Sequence, residues 1–192
     1  MKHFVFLVAL VCVLCASLNP VKAVSNTELQ DTSRFARIIS KGDTGGGDGK
    51  YIELSTIRDN STDAHTKNIE AKIYVVLPSS DLIREYKVRY DYDLNLSFAN
   101  MVAKAPELKT RLPDFSLNEL WNIKMMESGI VGMVLNQQDY TLNGESKPTQ
   151  PALKGYENVT FLTPTDFDFE SYHVANRIFK MVYGIFYDDV IR

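Results

Sequence analysis

The chain has 192 residues, 45% of them hydrophobic, with 21 Lys and Arg against 24 Asp and Glu, a formal charge of −3. No Lys/Arg run exceeds two residues, so the positive footprint that phosphate backbones require is missing and nucleic acid is excluded as a partner. The length suffices for a sizeable core in one domain.

Met1 to Ala23 opens with Lys2 and His3, runs apolar from Phe4 to Leu18, and meets Asn19 and Pro20 before Val21-Lys22-Ala23. This is the pattern of a cleaved signal peptide, with small residues at 21 and 23. Its apolar run of about 15 residues is short of the ~20 needed to span a bilayer. The expected mature chain starts at Val24 and is secreted to extracellular fluid. Without Lys2 and Lys22 it keeps 19 basic and 24 acidic residues. Both cysteines, Cys12 and Cys15, lie in the leader. The mature domain is therefore cysteine-free, with no disulfide framework, thiol nucleophile or thiolate metal site.

Residues 24–50 read as a disordered, glycine-rich arm, because Gly42 to Gly49 holds five glycines in eight residues and ordering them is entropically costly. Within the arm, Phe35, Ile38 and Ile39 predict a short helix over Arg34 to Lys41, stopped by Gly42. Arg34-Phe35-Ala36-Arg37 has the minimal spacing of a convertase processing site. The glycine run is not a phosphate loop, since position 44 is Thr and position 51 is Tyr, where that motif needs Gly and Ser or Thr. Nor do Asp43 and Asp48 make a calcium loop without a closing glutamate.

Residues 51–192 read as one globular domain. Strands are predicted over Tyr51 to Ile57 and Ile69 to Leu77. Over Arg84 to Leu96, Tyr86, Val88, Tyr90, Tyr92 and Leu94 alternate with charged residues, a period of two that means one buried and one wet face. Ser97 caps a short helix ended by Pro106. Ser116-Leu117-Asn118-Glu119 is a capping box, with Phe115 and Leu120 at staple spacing, opening a helix to about Glu127. Ile130 to Leu135 and Asp139 to Leu142 are expected to pair as a hairpin across Asn136 to Gln138, followed by a turn at Asn143-Gly144 and an exposed loop from Glu145 to Ala152. Glu157 to Leu162 is the last strand. A terminal helix runs from Thr163-Pro164-Thr165-Asp166 to about Tyr187. The predicted class is α+β: a mostly antiparallel sheet of about five or six strands against two or three helices, after a disordered arm.

Three Asn-X-Ser/Thr sequons begin at Asn60, Asn95 and Asn158, candidate glycan sites along an export route. Asn60 ranks first because Arg58 to Thr66 reads as a polar loop. Tyr86, Tyr90, Tyr92, Phe169, Tyr172, Phe179 and Phe186 form either the core or an aromatic-lined pocket beneath the terminal helix. His65 and His173 are too far apart in sequence to argue for a metal. Asp166, Asp168 and Glu170 are explained by the helix start they occupy, where the dipole favours negative charge; Asp188 and Asp189 have no such explanation. No nucleophile elbow, zinc helix or dinucleotide fingerprint is present, and no cofactor is implied. The expectation is a secreted, non-catalytic glycoprotein that binds a macromolecule, such as a soluble factor of saliva, seminal fluid or haemolymph, without a membrane anchor. The alternatives are a carrier of a small apolar ligand and a carboxylate-dependent enzyme.

Overall fold

The computed structural model describes residues 23–38, 49–111, 116–149, 159–162 and 169–191. Residues 1–22 of the expected leader, the glycine run from Gly42 to Asp48, Phe115, Asp166, Asp168 and Asn158 of the third sequon lie outside them. The described strands are β1 (Phe35–Ile38), β2 (Gly49–Glu53), β3 (Arg58–Asp59), β4 (Thr66–Leu77), β5 (Leu82–Asp93), β6 (Ile130–Tyr140), β7 (Ser146–Lys147) and β8 (Val159–Leu162). The helices are α1 (Phe98–Arg111), α2 (Leu117–Met126) and α3 (Phe169–Tyr183). The class is α+β. One sheet runs β1-β2-β4-β5-β6-β7, with β3 on β4 and β8 on β6, and every described pairing is antiparallel.

The sheet's spine is the β4–β5 hairpin, paired from Thr66↔Asp93 to Leu77↔Leu82. Its alternating pattern sorts the two faces. Ile69, Ala71 and Ile73 of β4 join Val88, Tyr90 and Tyr92 of β5 in the main core, where α3 contributes Tyr172, Val174, Ala175, Ile178 and Phe179. On the opposite face Lys72 and Lys87 are directly opposed. Their repulsion is relieved diagonally, Lys72 to Glu85 and Lys87 to Glu70, each at 2.9 Å.

The stretch before Gly49 departs from expectation. Residues 23–34 are folded, with a 3₁₀ turn at Glu28–Gln30, and the predicted helix around Arg34 to Lys41 is instead β1, paired from Phe35↔Glu53 to Ile38↔Lys50. The apolar spacing of Phe35 and Ile38 imitates a helix because both faces of this strand are covered. Ile38 faces the main core, whereas Phe35 packs in a second cluster with Leu29, Tyr51, Tyr74, Val76 and Ile83. Phe35 meets Tyr74 edge-on at 5.7 Å. Of the candidate processing site, Arg37 sits in the paired strand and Arg34 directly precedes it, its carbonyl accepting the Leu54 N–H at 2.9 Å.

Three other boundaries are corrected. No hairpin forms at Asn136 to Gln138: β6 is continuous, and those residues lie opposite Lys87, Tyr86 and Glu85, with the register shifting where Leu135 is bulged. Their polarity reflects a wet sheet edge and not a turn. Pro106 does not end α1, which continues to Arg111. The terminal helix stops at Tyr183, not Tyr187, because Gly184 takes φ +76° and its N–H returns to the Lys180 carbonyl at 2.8 Å. The capping box at Ser116 and Glu119 is formed as the sequence predicts.

The core holds phenols that burial keeps protonated: Tyr74, Tyr90, Tyr92, Tyr172 and Tyr187 are raised above the ordinary value, and Tyr183 is pushed up to about 12. Above pH ~10 the unfolded chain releases these protons while the folded chain retains them, so the unfolded state binds fewer protons and stability falls as pH rises. Tyrosinate absorbance is expected to appear together with loss of circular dichroism in one cooperative alkaline transition. A gradual tyrosinate titration with the dichroism intact would contradict the buried placement.

Candidate functional site

The seven aromatic candidates divide. Tyr90, Tyr92, Tyr172 and Phe179 are core residues. Tyr92 meets Phe179 edge-on at 5.0 Å and the tilted ring of Tyr187 at 5.6 Å, and its hydroxyl donates to the Ala175 carbonyl at 2.8 Å. Rings therefore fill the space between sheet and α3. Tyr86 is half-buried at the margin of this cluster. Phe186 lies beyond the helix, with the Lys180 ammonium 4.1 Å over its ring. Phe169 opens α3, its side chain outside the described residues. Asn60 and Asn95 are exposed, as is His65, whereas His173 is half-buried on α3. No group of three His, Cys, Asp or Glu that could hold a metal occurs among the described residues, nor any described helix long and apolar enough to cross a membrane.

The strongest polar constellation is one the sequence reading missed. Lys124, on α2, is 1% exposed. Its three ammonium donors all have acceptors: the Leu96 carbonyl at 2.8 Å, the Ser128 carbonyl at 2.6 Å and Asp188 Oδ1 at 2.7 Å. The ring of Tyr187 lies 4.5 Å from the ammonium. Burial lowers the Lys124 pKa and Asp188 acts against that shift. The second oxygen of Asp188 accepts from the Tyr172 hydroxyl at 2.5 Å and from Asn176 at 3.3 Å. Asn176 in turn accepts the Tyr187 N–H at 3.1 Å. Asp188 thus has a structural partner, and its place after the helix is no longer unexplained. With every Lys124 donor engaged, the ammonium has no vacancy for a substrate. It is a fixed tie between α2 and the C-terminal segment. The signal was present in sequence, since Lys124 follows Leu120 by four positions and so lies on the same inward stripe.

Two surface features remain. The first is a groove of about 650 Å³ lined by residues 60–62, 66–68, 91–93 and 127–131 together with Leu96. Asn68, Asp91 and Val131 stand side by side across three strands. The loop at its rim is ordered by Asp63, which accepts from the N–H groups of His65 and Thr66 and from the Thr66 hydroxyl; these bonds, led by the hydroxyl, hold its carboxyl down at about 2. Asp59 accepts from Tyr183 at 2.7 Å, tying the same loop to α3.

The second feature is the outer surface of the α1–α2 hairpin. Its inner side packs through Met101, Ala105 and Leu120. Outside, Leu117 is 57% exposed and Trp121 46%, one turn apart on the same stripe of α2, and Val102 of α1 is 37% exposed; Met126, 71% exposed, is nine positions from Leu117 and so lies on the other side of the helix. Trp121 meets Phe98 edge-on at 5.6 Å. Large apolar side chains concentrated on one hairpin are the pattern of an interaction surface.

Replacing Lys124 by Met removes the charge but leaves Asp188 and two carbonyls without their donor; a loss of about 3 kcal/mol is expected in urea unfolding. Gly129→Ala is also expected to destabilise, because φ is +77° and the added carbon would meet the Tyr187 hydroxyl at 2.1 Å. A Lys124→Met protein as stable as the parent would show that the tie carries no stability. Comparison of the chain with protein-family models, with curated proteins and with solved structures gave no match.

Proposed function

We propose that this is a secreted, non-catalytic glycoprotein that acts by binding a protein partner through the outer face of the α1–α2 hairpin. The observation that carries this reading is the exposure of Leu117 and Trp121 one turn apart on α2, with Phe98 of α1 edge-on to the Trp ring. An exposed Trp one turn from an exposed Leu is the kind of anchor that binding hot spots use, and Trp is among the residues most enriched there. Helix α2 itself is anchored by the capping box at its start and by Lys124 on its inner side. The apolar side chains therefore stand on a rigid support, which keeps the entropic cost of docking low.

An apolar-ligand carrier draws less support, because the rings beneath α3 pack on one another. A carboxylate enzyme would rest on Asp166 and Asp168, outside the described residues, and on Glu170.

The test is site-directed photocross-linking in the fluid of origin. A photoreactive residue at position 121 is expected to capture one defined protein, and Leu117→Asp is expected to abolish that capture while changing stability by less than about 1 kcal/mol. A photoreactive residue at Arg177, on the exposed side of α3, should capture nothing. Equal capture from positions 121 and 177, or none from 121, would defeat the proposal.

A further inference from the structure

The 650 Å³ groove and the first sequon belong to one place in the fold. Asn60, Ser61 and Thr62, all three residues of the sequon, line the groove. Asn60 is exposed, and its backbone N–H donates to the Asn68 carbonyl at 2.8 Å. Its attachment point is therefore fixed to the edge of β4 and does not swing on a free loop. The groove's opposite side is formed by Glu127 to Val131, held by the Ile130 N–H donating to Ser128 Oγ at 3.0 Å and by the Asp93 N–H donating to the Gly129 carbonyl at 2.8 Å.

The lining has the mixed chemistry that a sugar presents. Asn68 and Asp91, joined by a hydrogen bond from the Asn68 amide to Asp91 Oδ1, present polar oxygens together with Glu127, while Leu96 and Val131 offer apolar surface for an N-acetyl methyl and the ring C–H faces. Its volume lies within the range of roughly 300–1,000 Å³ typical of small-ligand sites. We infer that the groove is the seat of the protein's own glycan: the first sugars attached to Asn60 lie in it and bridge the 60–68 loop to the 127–131 segment. This rests on the glycoprotein reading above and adds a structural role to it. Attachment joins the Asn60 amide nitrogen to the anomeric carbon of an oligosaccharide carried on a lipid pyrophosphate. The pyrophosphate leaves with the bonding pair, and the amide gives up one proton.

Asn95 offers no such seat. It is exposed but does not line the groove, and its side chain already donates to Asp93 Oδ1 at 3.0 Å. A sugar there projects into solvent.

The experiment uses full-length protein secreted from a eukaryotic cell. Peptide mass spectrometry reads occupancy at Asn60, and amide hydrogen exchange is compared between the glycoprotein, the same protein trimmed to one sugar per site, and Thr62→Ala, which loses the Asn60 sequon. Thr62→Ser, which keeps the sequon, controls for the side-chain change. With Asn60 occupied, amides at 60–68 and 127–131 are expected to exchange several-fold more slowly in the glycoprotein and in Thr62→Ser than in Thr62→Ala, with most of the protection surviving trimming. Occupancy without any difference at 127–131 would overturn the inference and leave the glycoprotein reading intact. An unmodified Asn60 would overturn both at this site.

Discussion

The structure depends on one desolvated cation. Lys124 could remain charged inside the fold only because two carbonyls, one carboxylate and one aromatic face surround it. Those groups come from three stretches, the 3₁₀ turn Leu94–Leu96 before α1, the loop after α2, and the segment after α3 that supplies both Tyr187 and Asp188; Lys124 itself stands on a fourth, α2. Burying an ammonium is costly unless every donor is used, so the four stretches must be placed together or not at all. Tyr187 reinforces this from beside the ammonium, its hydroxyl donating to the Asp93 carbonyl at 2.6 Å with the Ser128 carbonyl 3.1 Å away. Ser97, at the base of α1, donates to the Val190 carbonyl at 2.5 Å.

Seen from this tie, the molecule has two regions of different construction. The sheet and α3 are held by continuous apolar packing on one face, and the folded N-terminal segment covers part of the other. The α1–α2 hairpin has only a small core of its own and relies on the polar tie for its position. That division suits a binding role. A hairpin fixed at its base by charge and hydrogen bonds can leave apolar side chains outside, where a hairpin fixed by hydrophobic contact would have used them up.

The sequence revealed most where one face alone is buried. The alternation from Tyr86 to Leu94 located β5 and its inward face, and the Ser116 capping box located the start of α2, because both signals are local. It misled where two faces or distant partners decide. Phe35 and Ile38 imitated a helix because the strand bearing them is covered on both sides. Asn136 to Gln138 imitated a turn because polar residues stand on both faces of β6 where it borders a wet sheet edge. Lys124 drew no notice, since its acceptors lie far away in sequence, and the same distance left Asp188 unexplained. The groove was equally hidden, for it is assembled from four stretches of chain that no motif connects.

The separations across the tie carry a kinetic consequence. The contacts of the C-terminal segment span long stretches of chain, 90 residues from Phe98 to Asp188, 93 from Ser97 to Val190 and 94 from Asp93 to Tyr187. Contacts of such range demand closure of large loops before they return any stabilisation, and chains rich in them fold slowly. The α1–α2 hairpin, synthesised well before its anchor, has to wait with an unpaired lysine on its inner face until Asp188 emerges. Closure of these loops is thus expected to follow the local β4–β5 pairing, whose strands are joined by a short turn.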